Sequence, residues 1–256
     1  SGSGVVSKIW SQSNSTNPGA DLKFDTDGTT RMVIATSSGS VGIGTEAPAK
    51  KLHVTGSVDG NYIAHIENTD SDAGYGLQIK SSDGVGNKSF QVQNTSGNDT
   101  LQLYGDGSLR LPQNPAFQAR PSSEQSDIAT GSAVRVPFGT EIFDQGQNFA
   151  TDSGNSNAGT FTAPITGRYM LTANLYLNTV DSAPAYYALN ITTSNRGYES
   201  IFDPDFGQDS AYWTVTFSAL VDMDASDTAY VTLTQEAGTQ QTDIATASYF
   251  SGFLAC

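Results

Sequence analysis

Between residues 167 and 177 every second residue is apolar. Tyr169, Leu171, Ala173, Leu175 and Leu177 fall on one side, and Arg168, Met170, Thr172, Asn174 and Tyr176 on the other. Successive side chains of a strand point to opposite faces, so a run of this period hides a continuous apolar face only as a β-strand. The same spacing returns at Trp213, Val215, Phe217, Ala219 and Val221, at Val231 with Leu233, and at Tyr249 with Ser251 and Phe253. No window places apolar residues at helical spacing as consistently, so an all-β chain is expected, with helix scarce.

The expected strands differ along the chain. After Ala116 they are long, at roughly 116–120, 132–138, 140–143, 147–150, 159–165, 167–179, 184–193, 211–221, 228–236 and 246–255, a pattern that describes a sandwich or jelly roll. Before it they are short and come as strand, turn, strand. Residues 22–24 face 31–34 across Asp27-Gly28, 77–80 face 89–92 across Asp83-Gly84, and 101–104 face 109–111 across Gly105-Asp106-Gly107. Pro112 and Pro115 break strand pairing between the two regions. The reading is therefore a β-rich stalk over 5–113 and a head over 114–256. Ser1-Gly2-Ser3-Gly4 reads as a cloning scar, with the natural chain beginning upstream.

A lone hairpin with such short strands and one apolar face is marginal in water. Three chains wound about a common axis cover those faces and close the sheet edges, so an interwound, obligate homotrimer is expected. Within the stalk stand Val41-Gly42-Ile43-Gly44-Thr45, then Pro48, then Lys51-Leu52-His53-Val54. This segment resembles the VGIGT-x-x-P-x-x-KLHV stretch that recurs in bacteriophage tail fibres and in large trimeric bacterial surface fibres. The resemblance implies a fibre shaft or shaft-to-tip adapter. Its glycines, alternating with Val41 and Ile43, are expected to let three backbones approach closely. They lack the GxGxxG spacing of a nucleotide site.

In the head, Phe161-Thr162-Ala163-Pro164, Gly167, Tyr169 and Leu171 are similar to the F-x-A-P-x-x-G-x-Y-x-F core of the jelly-roll superfamily that contains the globular heads of the first complement component and tumour necrosis factor. Phe143, five residues before Asn148, and the closing Tyr249-Phe250-Ser251-Gly252-Phe253-Leu254 keep the family's order. Leu171 replaces a usual Phe, Gly154 a usual aromatic, and residues 201–210 read as an insertion. The resemblance implies a jelly-roll head that trimerises and holds ligands on variable loops.

Charge narrows the partners. Residues 1–113 carry eight basic against eleven acidic residues, and residues 114–256 carry four arginines against fifteen acids, within a net charge of −14. A surface this acidic releases no counterions from phosphates, which excludes nucleic acid. No stretch approaches the roughly 20 apolar residues of a membrane helix, so direct membrane insertion is not expected. The single cysteine, Cys256, allows no intrachain disulfide.

Catalytic groups are sparse in the head. The only histidines, His53 and His65, lie in the stalk, where they are expected on strand surfaces, and the head offers no Ser-His-Asp or Cys-His arrangement. Carboxylate pairs for a polysaccharide depolymerase could come from Asp203, Asp205 and Asp209 or from Asp222, Asp224 and Asp227, and the second group is also a candidate for calcium. Otherwise no cofactor is expected. Aromatic faces beside carboxylate acceptors suit sugars and protein epitopes. The loop 196–210, with Tyr198, Phe202, Asp203, Asp205 and Phe206, is therefore the expected ligand site, while Trp213, an alternating member, is expected in the core. These readings combine into an extracellular adhesive fibre tip, on a virion or a bacterial surface, that binds a glycan or protein on a target cell. A depolymerase and a ligand-free trimerisation cap are the competing readings.

Overall fold

The structure, a computed structural model, describes residues 7–14, 17–151 and 157–256. Residues 1–4 and Gly154 lie outside them. No helix occurs among the described residues. The chain divides into two compact units, Ser1–Ile79 and Lys80–Cys256.

The first unit is one sheet of β1 (Lys8–Asn14), β2 (Asn17–Thr26), β3 (Thr29–Ile34), β4 (Val41–Ile43) and β5 (Leu52–Val54), in that order. Asp27 and Gly28 join β2 to β3 with φ of 53° and 71°, the two left-handed residues that a tight hairpin requires. Its β2, at ten residues, is longer than the sequence suggested. Trp10 Nε1 donates to Asp25 Oδ2 at 2.6 Å, fixing the β1–β2 register on one face. The glycines of the Val-Gly-Ile-Gly segment have a reason within a single chain. A side chain on Gly42 would strike the Thr45 carbonyl, and Gly44, at φ 76°, would strike that of Thr55. Residues 55–79 form no strand, and His65 lies among them while His53 lies in β5.

The second unit opens with β6 (Lys88–Gln93), β7 (Asp99–Tyr104) and β8 (Leu109–Arg110). The expected pairing of 77–80 with 89–92 does not form; residues 77–80 are not a strand, and β6 pairs with β7 instead. The turn at 94–98 is closed by Asn94, whose Oδ1 accepts from the amides of Ser96 and Asn98, so the nearer partner is already held. The pairing of β7 with β8 is as expected.

The remaining strands are β9 (Ala116–Arg120), β10 (Ala133–Arg135), β11 (Thr140–Gln145), β12 (Phe149–Ala150), β13 (Thr160–Thr162), β14 (Gly167–Val180), β15 (Tyr186–Thr193), β16 (Gly197–Phe202), β17 (Ser210–Met223), β18 (Thr228–Glu236), β19 (Asp243–Ile244) and β20 (Tyr249–Leu254). They build two antiparallel sheets, ordered β12-β13-β18-β15-β16 and β11-β9-β20-β14-β17, with β10 on β18 and β19 on β14. This is a jelly-roll sandwich.

The core is the inward face of both sheets. Tyr169, Leu171, Ala173, Leu175 and Leu177 are all buried, as their spacing predicts. Phe117 stacks on Phe149 and Phe161 at 4.8 and 4.6 Å and takes the edge of Phe250 at 5.0 Å. The Ala-Pro-x-x-Gly-x-Tyr run closes the turn into β14: the Tyr169 hydroxyl donates to the Ile165 carbonyl at 2.7 Å, and a methyl on Gly167 would stand 2.9 Å from the Cys256 carbonyl.

Three readings of the head are corrected. Residues 197–202, expected in a loop, are the edge strand β16, paired with β15 from Tyr187–Phe202 to Thr192–Gly197. In β20 the inward residues are Phe250 and Gly252, whereas Phe253 is half exposed, because β20 enters the sheet one residue out of the expected phase. Trp213 is 40% exposed rather than buried, because β17 is the edge strand of its sheet, paired only with β14, and leaves one side of the ring open.

Candidate ligand-binding site

The turn at 194–196 folds β16 back along β15 and lines up Tyr198, Ser200 and Phe202 beside Ile191, Leu189 and Tyr187. Tyr198 and Phe202 thus pack on the margin of the core, but at opposite ends of a strand. Four residues at about 3.3 Å each put them some 13 Å apart. The five residues expected together therefore divide between two places.

At the Phe202 end, rings run from the core to solvent. Phe202 lies flat on buried Tyr187, centroids 5.0 Å apart and planes 7° apart. Trp213 follows at 6.3 Å, and Phe206 leans on Trp213 at 4.9 Å and 35°. Trp213 and Phe206 are both 40% exposed. The loop that carries Phe206 turns at Pro204, which is buried and accepts from the Phe206 amide at 2.5 Å, and again at Gly207, with φ 73°. Phe206, Gly207, Gln208, Asp209, Ser210 and Trp213 wall an open groove of about 340 Å³.

Asp203 and Asp205 project from this loop, exposed, and hydrogen-bond to nothing among the described residues. Asp209 differs: its Oδ2 accepts from Gln241 at 2.9 Å and its Oδ1 from the Ser182 amide and hydroxyl at 3.0 and 2.9 Å. Those donors, Gln241 foremost, hold its carboxyl below the usual range. Asp209 anchors the loop, and Asp203 and Asp205 are the free acceptors. Sequence reasoning reached Phe202, Asp203, Asp205 and Phe206 but assigned Trp213 to the interior. The signal for its exposure was its place beside Tyr212 at the entry of β17, next to a loop rich in turn formers.

Around Tyr198 the groups are already engaged. Its hydroxyl donates to Asp222 Oδ1 at 3.3 Å, and Arg196 reaches Asp222 Oδ2 at 3.0 Å. Burial, ahead of the nearby charges, raises the Tyr198 pKa. Asp227 Oδ2 accepts from Asn195 at 2.9 Å and from the Asp224 amide at 2.8 Å, and Asp224 Oδ1 accepts from Thr166 at 3.4 Å. Asp222, Asp224 and Asp227 thus serve three separate sets of donors. Among the described residues no group of three or more His, Cys, Asp or Glu side chains is placed to hold a metal.

Comparison with known proteins adds a family. The model of the C1q domain matches residues 116–255. Among solved structures, the globular domain of zebrafish complement 1qA is similar at 17% identity over 56% of this chain and 98% of its own, with a TM-score of 0.41. Murine APRIL at pH 8.5 is similar at 11% identity over 55% of this chain and 98% of its own, with a TM-score of 0.39. No curated protein matches the chain.

Proposed function

This chain belongs to the C1q domain family through residues 116–255, and from that premise we propose that it forms the outer end of a homotrimeric adhesive fibre, extracellular on a virion or a bacterial surface, whose head holds a target-cell glycan at the Phe206–Trp213 groove. One observation carries the reading: two exposed rings, Phe206 and Trp213, meet at 4.9 Å and wall an open groove together with the Asp209 carboxylate, on a loop that also carries the exposed Asp203 and Asp205. Ring faces pack against the C–H faces of a sugar while carboxylates accept its hydroxyls.

The trimer is supported by surfaces that one chain leaves bare. From Met170 to Tyr176 and from Tyr212 to Leu220 the outward face of β14 and β17 carries no charge, in a chain of net charge −14. Its polar side chains bond one another, Thr172 with Ser218 at 2.9 Å and Asn174 with Thr216 at 2.6 Å. Leu220 and Phe253 stand half exposed on it. In the stalk Leu77, Ile79, Phe90 and Val92 are likewise exposed. Uncharged, internally satisfied faces with exposed apolar side chains suit contact with further copies. The likeness of residues 41–54 to fibre shafts supports the placement on a fibre.

Light scattering and a cell-binding assay test this together. A mass near three times 26.9 kDa, unchanged on dilution, is expected, with adhesion to target cells that Trp213→Ala and Phe206→Ala abolish. A dilution-independent monomer overturns the fibre. A trimer that binds neither cells nor glycans is a structural cap and overturns the adhesive reading.

A further inference from the structure

The groove's surroundings restrict which sugars it admits. Resting on the reading of this groove as the ligand site, we infer that it selects uncharged glycans and rejects anionic ones, whether the negative charge is carboxylate, sulfate or phosphate. No lysine occurs anywhere from residue 114 to 256, and the four arginines there are Arg120, Arg135, Arg168 and Arg196. None of them walls the groove. Arg196 is bound to Asp222 at the far end of β16, and Arg135 lies 4.1 Å from the Tyr230 ring and bonds the Ala158 carbonyl. Arg168 pairs in register with Asp222 while Trp213 pairs with Leu177, a separation of about 30 Å along β14.

Against this absence stand Asp203, Asp205 and Asp209 on the groove's own loop. An anionic sugar entering here meets like charge with no counter-ion, and such juxtaposition costs binding steeply. An uncharged pyranose lays its C–H face on Trp213 within the groove, while Asp203 and Asp205, which lie outside the groove wall on the same loop and have no protein donor, accept hydroxyls of a sugar residue that extends past Phe206. The volume, about 340 Å³, lies at the small end of the roughly 300–1,000 Å³ typical of ligand pockets, so it takes a short stretch of chain rather than a long polymer groove.

The test is a glycan array printed with uncharged hexose oligomers beside their uronate, sulfated and sialylated counterparts, probed with the full chain and EDTA present. Binding confined to the uncharged set is expected, with loss of at least about tenfold in affinity for Trp213→Ala, a fall that salt does not rescue. The double variant Asp203→Lys, Asp205→Lys is expected to gain anionic glycans by on the order of tenfold. If wild type binds anionic glycans and Trp213→Ala removes that binding, the charge selection is wrong and the groove stands. If glycans bind and Trp213→Ala changes nothing, the groove itself is wrong. If Trp213→Ala converts the assembly to monomers, the ring belongs to a contact between copies, and both readings fall.

Discussion

Gly252 and Phe117 are register partners on neighbouring strands with no room left between them: a methyl group on the glycine would stand 2.8 Å from Phe117 Cε1 and 2.5 Å from Leu171 Cδ2. Phe117 cannot yield, because Phe149, Phe161 and Phe250 surround it. Gly252→Ala is therefore expected to overpack the core at a cost of roughly 1–3 kcal/mol, lowering the head's melting temperature by about 2–4 °C for each kcal/mol. Calorimetry of the full chain reads this; an unchanged melting point would show that the aromatic cluster is loosely packed.

The buried hydroxyl of Tyr187 gives a second expectation. It lies 2.7 Å from Thr242 Oγ1 and donates to the Asp181 carbonyl at 3.3 Å, and the residue is fully buried. Tyr187→Phe leaves Thr242 short of a partner and is expected to cost about 1–3 kcal/mol in denaturant melts.

The same tyrosine sets an alkaline limit. Burial pushes its pKa up to about 12, from an ordinary value of about 10. The neutral form is favoured only in the folded chain, so its contribution is complete below about pH 10 and is lost as pH rises toward 12. Ultraviolet titration is expected to show one tyrosinate appearing last, together with unfolding. A full complement of tyrosinates in a folded head below pH 11 would sink this.

Acid is expected to loosen a different place. Lys88, ahead of Gln91, Gln93 and Gln102, holds the Asp99 carboxyl well below the usual carboxylate range. Its contribution is present above the unfolded value of about 3.9 and is lost as pH falls beneath it toward the folded value. Amide protection in β6–β8, taken relative to the intrinsic exchange rate at each pH, should fall below about pH 4, before that of β14. Asp99→Asn should abolish that pH dependence of protection.

The junction at 111–115, expected as a break in pairing, is stitched. Gln145 Nε2 donates to the carbonyls of Leu111 at 3.1 Å and Asn114 at 2.5 Å, while Asn114 Nδ2 donates to the Leu254 carbonyl at 3.0 Å. Gln145→Ala should speed exchange at the Asn114 amide by severalfold without changing the melting of the core; no change would mean that the prolines alone hold the junction.

How much was legible depended on whether a pattern answered to one partner or two. In β14 the alternation is read directly because the strand has one covered face along its length. Trp213 obeys the same alternation yet is exposed, since periodicity reports which face a residue takes and not that its strand lies at the open edge of the sheet. The β16 strand had a signal, Tyr198, Ser200 and Phe202 at period two after a Ser-Asn-Arg-Gly turn, but so short an edge strand is hard to tell from a loop without its neighbour. Leu77 and Ile79 alternate like strand residues, yet residues 77–80 form no strand. Which side chains remain free, as at Asp203 and Asp205 but not Asp209, turned on donors such as Ser182 and Gln241 that no local spacing reveals.

The place of β20 has a consequence for how the head is made. It lies between β9 and β14, so the sheet closes only when residues 249–254 reach residues 116–119, more than 130 positions earlier. During synthesis everything between must emerge first, with the aromatic cluster around Phe117 uncovered, and such distant pairing is slow. A chain cut short before residue 249 leaves the facing edges of β9 and β14 unpaired, raw edges of the kind that template pairing with another chain.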